Sequence, residues 1–261
     1  MKRLISLCAL AALLFAACGD DASDEPTTTG ATSTSSAATT TSTAPGRTTA
    51  AGATTTTVAP QPPREVTFPT ADGLTLQGRL YPGGTTWVLL AHMLPADMTS
   101  WFDFAAAAQQ AGYTALAYNN RGYGASEPGE PLDVGADAQA AIAYARANSA
   151  ARVFFFGASM NGAAALFAAA EEDLAGIASL SGVPEWDNTP GMARAAEVTE
   201  PALFVAAEDD GNAVATAEAM SEAVGGPARV EIYPTGGHGT DMFEANPGLT
   251  LLLLEFIAAH S

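Results

Sequence analysis

The sequence predicts an α/β protein in which helices cover both faces of a doubly wound, mostly parallel sheet of about eight strands. The first observation behind this prediction is that short apolar runs alternate with longer helical segments. The second is that most of these runs are apolar at every position, which indicates strands that are covered on both faces. The third is an apolar strand, 153–156, that leads directly into a serine, Ser159, between Gly157 and Gly162.

The individual elements follow from the hydrophobic pattern. Residues 64–68 and 74–81 alternate apolar and polar side chains on either side of Asp72-Gly73, which predicts an antiparallel pair of strands. Further strands are predicted at 87–91, 113–118, 153–156, 176–180, 202–206 and 230–233. Helices are predicted at 99–111, 133–148, 160–171, 212–224 and 241–260. Because ligands of such sheets bind at the carboxyl ends of the strands, the functional residues are expected there.

The amino-terminal residues predict export and attachment to a lipid. Basic residues precede an apolar stretch that ends at Ala17, which is typical of a signal peptide over residues 1–17 and too short for a permanent membrane span. Ala16-Ala17-Cys18 resembles a bacterial lipobox, in which Cys18 is acylated and anchors the protein to the outer face of the cell membrane. The alternative is cleavage after Ala17 with an incidental cysteine. Since Cys8 is the only other cysteine, no disulfide is expected in the mature protein.

The rest of the chain is predicted to be a tether followed by one domain. Residues 18–63 are rich in Thr, Ser and Ala, which predicts a disordered segment. Residues 64–261 are long enough to bury the core of one domain. The net charge of −18 argues against nucleic acid as a partner and against electrostatic attachment to anionic lipid. Because this part of the chain contains no cysteine, no paired histidines and no phosphate-binding loop, we expect no metal or cofactor. The protein is also expected to be a monomer.

Ser159 is the candidate nucleophile. A strand that turns sharply into a helix lifts a serine hydroxyl above the end of a sheet, and the turn requires small neighbours such as Gly157 and Gly162. The alternative is a serine that only caps the helix.

Two later strand ends carry a possible acid and base. Asp209 and Asp210 follow the strand at 202–206, and either could instead cap the next helix. His238 follows the last strand in a glycine-rich loop, and its alternative is a solvated surface histidine.

Residues 64–261 resemble the α/β-hydrolases, in particular their small serine-esterase or dienelactone-hydrolase-like branch. The order Ser, acid, His is the order of that superfamily. The run from Asn119 to Ser126 is similar to its D-x-R-G-x-G-x-S loop, and the run from Ala91 to Asp97 stands where it has a His-Gly oxyanion loop. Met93 replaces the glycine after His92, and Asn161 replaces the second glycine of G-x-S-x-G, where it tightens the packing of strand against helix. Dienelactone hydrolases proper use a cysteine nucleophile, so their specific activity is not implied.

The resemblance implies the α/β-hydrolase fold and a serine hydrolase that cleaves a carboxylic ester or similar acyl bond of a small molecule through an acyl-enzyme. It assigns Ser159 as nucleophile, His238 as base and Asp210 as the acid that orients the base, with Asp209 as the alternative acid. The oxyanion hole would be formed by the backbone N–H groups of Met93 and Met160. His92 is expected to orient the oxyanion loop rather than to act as a base.

The surroundings of the site are less determined by the sequence. Only 20 residues separate Leu180 from Pro201, so no large cap domain is expected above the site. Trp101, Tyr123 and Trp186 are candidates for an apolar substrate pocket, and a place in the core is the equal alternative. Two other functions stay open: a catalytically silent binding protein at the cell surface, and a peptidase or amidase of the same fold.

Overall fold

The computed structural model describes residues 61–261. The predicted signal peptide, Cys18 and nearly all of the predicted tether lie outside these described residues. Between residues 61 and 261, no single helix is long and apolar enough to cross a membrane. Gly239–Ala245 and Gly248–Ala259 meet those criteria only as a pair, and the pair is bent by 116°.

An 8-stranded sheet forms the centre of the fold, and its strands lie in the order β1-β2-β4-β3-β5-β6-β7-β8. The strands are β1 Arg64–Pro69, β2 Thr75–Tyr81, β3 Thr86–Ala91, β4 Thr114–Tyr118, β5 Arg152–Ala158, β6 Gly176–Leu180, β7 Ala202–Ala207 and β8 Ala228–Tyr233. β2 pairs antiparallel with β1 and β4, and every other pairing is parallel. The prediction of a mostly parallel sheet with an antiparallel opening pair is therefore confirmed.

Seven α-helices accompany the sheet in the described residues. They are α1 Phe102–Gln110, α2 Val134–Ala147, α3 Met160–Glu171, α4 Gly191–Arg194, α5 Ala213–Ala223, α6 Met242–Ala245 and α7 Gly248–Ala259. Short 3₁₀ turns at Met98–Trp101 and Gly239–Asp241 lead into α1 and α6. The single helix predicted at 241–260 is wrong, because Pro247 follows the end of α6 and disfavours helical backbone at the preceding residue, Asn246.

The core has one layer on each face of the sheet. Successive side chains of a strand point to opposite faces, and Phe154, Phe155 and Phe156 of β5 are all fully buried. Phe155 packs into the layer formed with α2, α3 and α5, whereas Phe154 and Phe156 pack into the layer formed with α1 and α7. The continuous apolar pattern of the central strands thus reflects burial on both faces, while β8 lies at the edge of the sheet and is largely exposed.

The first described residues lie at the amino end of the parallel strands. The carbonyl oxygen of Gln61 accepts a 2.8 Å hydrogen bond from Nε2 of Gln109, at the end of α1. The same amide donates to the carbonyl of Pro82, directly after β2. Because β2 runs antiparallel to β4, with Tyr81 opposite Ala115, this contact lies where β4 begins. Ser159 follows the carboxyl end of β5, so a strand length of roughly 20 Å separates the two places.

Candidate active site

Ser159 occupies a strained turn between β5 and α3. Its backbone torsions are φ 51° and ψ −113°, a left-handed conformation that is uncommon for residues other than glycine. Such a conformation costs on the order of 1–3 kcal/mol and persists only where the surroundings hold it in place. Here the N–H of Ser159 donates to the carbonyl of Leu180 on β6, and its carbonyl accepts from Gly162 and Val183. These hydrogen bonds fix the backbone below the hydroxyl.

The two glycines near Ser159 allow strand and helix to approach closely. A Cβ on Gly157 would lie 2.1 Å from the carbonyl oxygen of Asn161. A Cβ on Gly162 would lie 2.4 Å from the Cα of Gly182, in the loop after β6. Both distances are shorter than any stable contact, so the turn has room for glycine alone at these positions.

His238 connects Ser159 to Asp210. The imidazole Nε2 lies 2.7 Å from Oγ of Ser159, and Nδ1 lies 2.8 Å and 3.0 Å from the two carboxylate oxygens of Asp210. Since a carboxylate only accepts, Nδ1–H donates to Asp210, which leaves Nε2 to accept the hydroxyl proton of Ser159. Three strand ends, those of β5, β7 and β8, therefore bring together the serine, the histidine and one of the two candidate acids.

Asp209 has a different partner. Its carboxylate accepts the backbone N–H groups of Gly237 and Gly236 at 3.0 Å and 3.1 Å, and these two hydrogen bonds lower the pKa of Asp209. The residue thus holds the loop that carries His238 without touching the imidazole. Of the two acids that the sequence left open, only Asp210 contacts His238 in the structure.

Met93 and Met160, the two residues expected to supply oxyanion donors, both adjoin residues of this site. Met160 is the first residue of α3, directly after Ser159. Met93 lies in the loop after β3, and its Sδ is 2.6 Å from where a Cβ on Gly239 would be, next to His238. Neither N–H has an acceptor among the hydrogen bonds of residues 61–261. Neither donor is therefore already used by another group of the described residues, as a role in an oxyanion hole requires.

His92 is buried behind the Met93 loop in one fixed tautomer. Nδ1–H donates to the carbonyl of Met93 at 2.9 Å, and Nε2 accepts the N–H of Asn120 at 3.1 Å. Burial lowers the pKa of His92, so the ring stays neutral. Because both nitrogens are engaged, His92 has no free nitrogen for proton transfer, and it orients the loop instead.

A polar network behind the turn was not found from the sequence. Nδ2 of Asn161 donates to the carbonyl of His92 at 2.6 Å and to Oδ1 of Asn120 at 2.8 Å. Asn120 in turn donates to Asp137, which forms a buried ion pair with Arg121. The only signal in the sequence was that Asn161 departs from the pattern of the resembled family.

The three candidate pocket residues have different environments. Trp101 belongs to the core: its side chain is fully buried, donates to the carbonyl of Ala91 and packs against Phe243. Of the two alternatives that the sequence left equal for Trp101, a pocket and the core, the structure therefore shows the core. Tyr123 is partly exposed and packs on His92, with ring centroids 4.5 Å apart. Trp186 is also partly exposed, in the loop between β6 and β7.

No large cap covers the site in the described part of the chain. The segment between β6 and β7 holds only α4 and the short turn Ala195–Glu197. α4 packs closely on α3, since a Cβ on Gly191 would lie 2.6 Å from the carbonyl oxygen of Ala163. Over residues 61–261, no group of three or more His, Cys, Asp or Glu side chains has a geometry that could hold a metal ion.

The chain has the α/β-hydrolase fold. A protein-family profile described as alpha/beta hydrolase fold matches residues 86–196, which contain Ser159. Among curated proteins, a polyketide transferase from Aspergillus fumigatus is 43% identical over 76 residues, which make up 26% of this chain and 24% of that protein. This match thus spans about a quarter of the transferase, and it contributes a local similarity only.

Solved structures share the fold over most of their length. An esterase from Pyrococcus furiosus superposes with a TM-score of 0.65 at 15% identity, over 76% of this chain and 91% of that one. A dienelactone hydrolase from Anabaena variabilis gives a TM-score of 0.61 at 24% identity, over 77% and 96%. An enol-lactonase from Burkholderia xenovorans gives 0.62 at 17%, over 74% and 100%. The chain is similar to these enzymes in architecture.

Proposed function

We propose that this protein is a serine hydrolase that cleaves a carboxylic ester or a similar acyl bond of a small molecule. The observation that carries the proposal is the continuous hydrogen-bond chain from Ser159 through His238 to Asp210. A serine hydroxyl is a weak nucleophile by itself, and a base within hydrogen-bond distance is the usual means of its activation. The fold shared with an esterase and an enol-lactonase is consistent with this chemistry.

Acylation begins when Oγ of Ser159 attacks the carbonyl carbon of the substrate. The hydroxyl proton passes to Nε2 of His238 as the new C–O bond forms. Asp210 accepts the Nδ1 proton in a hydrogen bond, which keeps the correct tautomer and stabilises the imidazolium. The imidazolium then gives its proton to the leaving alcohol, and the acyl group remains on Ser159.

Charge develops on the former carbonyl oxygen during this step. In the proposed mechanism, the N–H groups of Met93 and Met160 donate to that oxygen in the tetrahedral intermediate. In comparable sites a single donor contributes about 2.7–4 kcal/mol to the stabilisation of the transition state. Deacylation reverses the roles: His238 takes a proton from water, the water oxygen attacks the acyl carbon, and Ser159 leaves with the proton from His238.

Labelling with a fluorophosphonate probe tests the proposal directly. The probe is expected to modify Ser159 in the wild-type protein, and Ser159→Ala is expected to remain folded, to resist labelling and to lose hydrolysis of p-nitrophenyl acetate. Full activity in a folded Ser159→Ala protein would exclude Ser159 as the nucleophile. Absence of labelling and of hydrolysis in the wild type would favour the silent binding protein. Hydrolysis of anilides at rates equal to those of esters would favour the amidase.

We also propose that the protein is exported and anchored to the outer face of the cell membrane through a lipid on Cys18. The support is Ala16-Ala17-Cys18 after an apolar amino-terminal stretch. Cys18→Ser is expected to move the protein from the membrane fraction into the soluble extracytoplasmic fraction, with Cys8→Ser as the control that leaves it in the membrane. Unchanged fractionation of Cys18→Ser would rule out this anchor.

A further inference from the structure

The side-chain amide of Asn161 joins the turn that carries Ser159 to the loop that carries Met93. Asn161 lies in the first turn of α3, directly after Met160, and is fully buried. Its Nδ2 group uses both hydrogens, one on the carbonyl of His92 and one on Oδ1 of Asn120. The partners come from the loops after β3 and β4, so this one amide connects the start of α3 to two loops at the carboxyl edge of the sheet.

The hydrogen bond to the His92 carbonyl determines where the Met93 N–H points. The carbonyl of His92 and the N–H of Met93 belong to one peptide group, which is planar and rigid. In a trans peptide these two groups point in opposite directions, and the His92–Met93 peptide is not one of the cis bonds of this chain. Holding the carbonyl at 2.6 Å from Asn161 therefore fixes the direction of the Met93 N–H.

The other side of Met93 is fixed as well. Its carbonyl accepts from Nδ1–H of His92, and the ring of His92 is held by the N–H of Asn120. Asn120 thus contacts both Asn161 and His92, and the three residues form a closed ring of hydrogen bonds. Asp137 accepts a further hydrogen bond from Nδ2 of Asn120 and stabilises the ring from behind.

The buried side chain of Asn161 also includes one polar atom whose hydrogen bonding is not satisfied. Oδ1 of Asn161 is buried and has no hydrogen-bond partner among the described residues. A buried acceptor without a partner costs on the order of 1–3 kcal/mol. The orientation of the amide is nevertheless unambiguous, because both of its partners are acceptors and must face Nδ2.

We propose that Asn161 is a positioning residue that sets the two oxyanion donors, the N–H groups of Met160 and Met93, in their relative orientation. The inference rests on the proposed function, since it assigns Asn161 a part in the same hydrolysis. Asn161 acts through the peptide between His92 and Met93 and touches no reacting atom. Its effect is confined to the developing oxyanion, so it should alter the transition state and leave substrate binding and the proton transfer of His238 unchanged.

Steady-state kinetics of Asn161→Ala with p-nitrophenyl acetate test this proposal. We expect kcat to fall by about 10- to 100-fold, the size of effect that a misplacement near 1 Å produces, with KM changed less than about twofold. The pH at which kcat/KM is half-maximal should not move, because Asn161 does not contact His238. The Ki of phenylboronic acid, which forms a tetrahedral adduct with an active serine, should rise by the same factor by which kcat/KM falls.

Ser179→Ala is the matched control. Ser179, on β6, is buried against the start of α3, where its Oγ lies 2.8 Å from the position of a Cβ on Gly162, and it has no hydrogen-bond partner in the described residues. Its removal should leave kcat, KM and the boronate Ki unchanged. Asn161→Asp, which keeps the side-chain volume and loses the donor, is the second test variant and applies where Asn161→Ala does not fold.

The outcomes separate this inference from the proposed function. Wild-type kinetics in folded Asn161→Ala, a loss seen only in KM, or a loss equal to that of Ser179→Ala would each overturn the positioning role. Failure of both Asn161 variants to fold, with Ser179→Ala folded, would assign Asn161 to stability alone and overturn it too. A fully active Ser159→Ala would overturn the proposed function itself, and this inference with it.

Discussion

Nε2 of His238 lies 2.7 Å from Oγ of Ser159, although 79 positions separate the two residues in the chain. The strands before them, β5 and β8, are not neighbours, because β6 and β7 lie between them in the sheet. At the usual spacing of strands the loop after β8 must reach back by about 14 Å. Two aspartates that follow β7 fix the position of this loop. Asp210 accepts a hydrogen bond from the imidazole of His238, and Asp209 accepts one from the backbone N–H of Gly237.

The different contacts of Asp210 and Asp209 predict unequal effects of their amide variants. Asp210→Asn should lower kcat for p-nitrophenyl acetate by about 10⁴-fold, as the wrong tautomer of the histidine does in comparable sites. Asp209→Asn keeps one acceptor oxygen for Gly236 or Gly237 and should cost less than about tenfold, the equivalent of one lost hydrogen bond. The purified variants, compared by kcat, decide the question. A larger loss in Asp209→Asn would assign the orienting acid to Asp209.

The close approach of β5 and α3 predicts that Gly157 cannot be replaced. A methyl group at this position would overlap the carbonyl oxygen of Asn161, 2.1 Å away. Overpacking of this kind costs about 1–3 kcal/mol or more, so Gly157→Ala should lower the free energy of unfolding by at least that amount in urea denaturation. Gly248→Ala is the control, because nothing lies within 4 Å of its Cβ position and its backbone is helical. Equal stability of the two variants would contradict this account of the turn.

The buried neutral ring of His92 predicts a loss of stability in mild acid. Burial lowers the pKa of His92 in the folded protein, whereas in the unfolded chain it titrates near the ordinary value of about 6.5. Below that pH the unfolded state binds a proton that the folded state does not, so stability falls as the pH decreases, by at most about 1.4 kcal/mol per pH unit for this group. The contribution is fully present above pH ~6.5 and is lost as the pH falls towards the folded pKa.

A comparison of Tm at pH 7.5 and pH 5.5 measures this effect. His92→Gln should show a smaller decrease between the two pH values than the wild type, even if its Tm at pH 7.5 is lower. His260→Gln, which changes a partly exposed histidine at the end of α7, should keep the wild-type decrease. An unchanged pH dependence in His92→Gln would mean that His92 is not the group responsible.

The absence of a large cap in the described residues predicts a preference for short acyl groups. Leu94, which follows Met93 in the chain, has an exposed apolar side chain, and no large element covers this edge of the sheet in the described residues. Each buried CH₂ contributes about 0.8 kcal/mol, but methylenes beyond an open pocket remain in water and contribute little. In a series of p-nitrophenyl esters, kcat/KM should reach its maximum between about two and six carbons by that reckoning. A steady rise towards long chains would show that the site encloses more of the substrate than this.

The fold was largely predictable from the sequence because it depends on patterns within single elements. The three buried phenylalanines of β5 and the alternation in β1 and β2 determine which faces are covered. The break before α7 was missed because the apolar pattern continues across Pro247. The place of Trp101 stayed open because nothing local distinguishes an aromatic ring that lines a pocket from one that donates to the carbonyl of Ala91 in the core.

The site was predictable in its order but not in its contacts. Ser159 and His238 each follow a strand, and the carboxyl ends of parallel strands meet at one edge. Asp209 and Asp210 are adjacent in one turn, and only the backbone geometry of that turn determines which carboxylate faces the imidazole of His238. The ring of Asn161, His92 and Asn120 joins residues up to 69 positions apart through the amide of Asn161, the imidazole of His92 and the backbone N–H of Asn120. No periodicity in the sequence records such contacts.

The contact between Gln61 and Gln109 has a practical consequence for the orientation of the protein on a solid support. The chain enters the domain at the amino end of the parallel strands, and the hydroxyl of Ser159 lies at the opposite end. A bead, sensor chip or fusion partner linked through the amino-terminal side of Gln61 would therefore leave the reacting face turned towards the solution. Linkage through loops such as the one that carries His238 would instead obstruct the substrate.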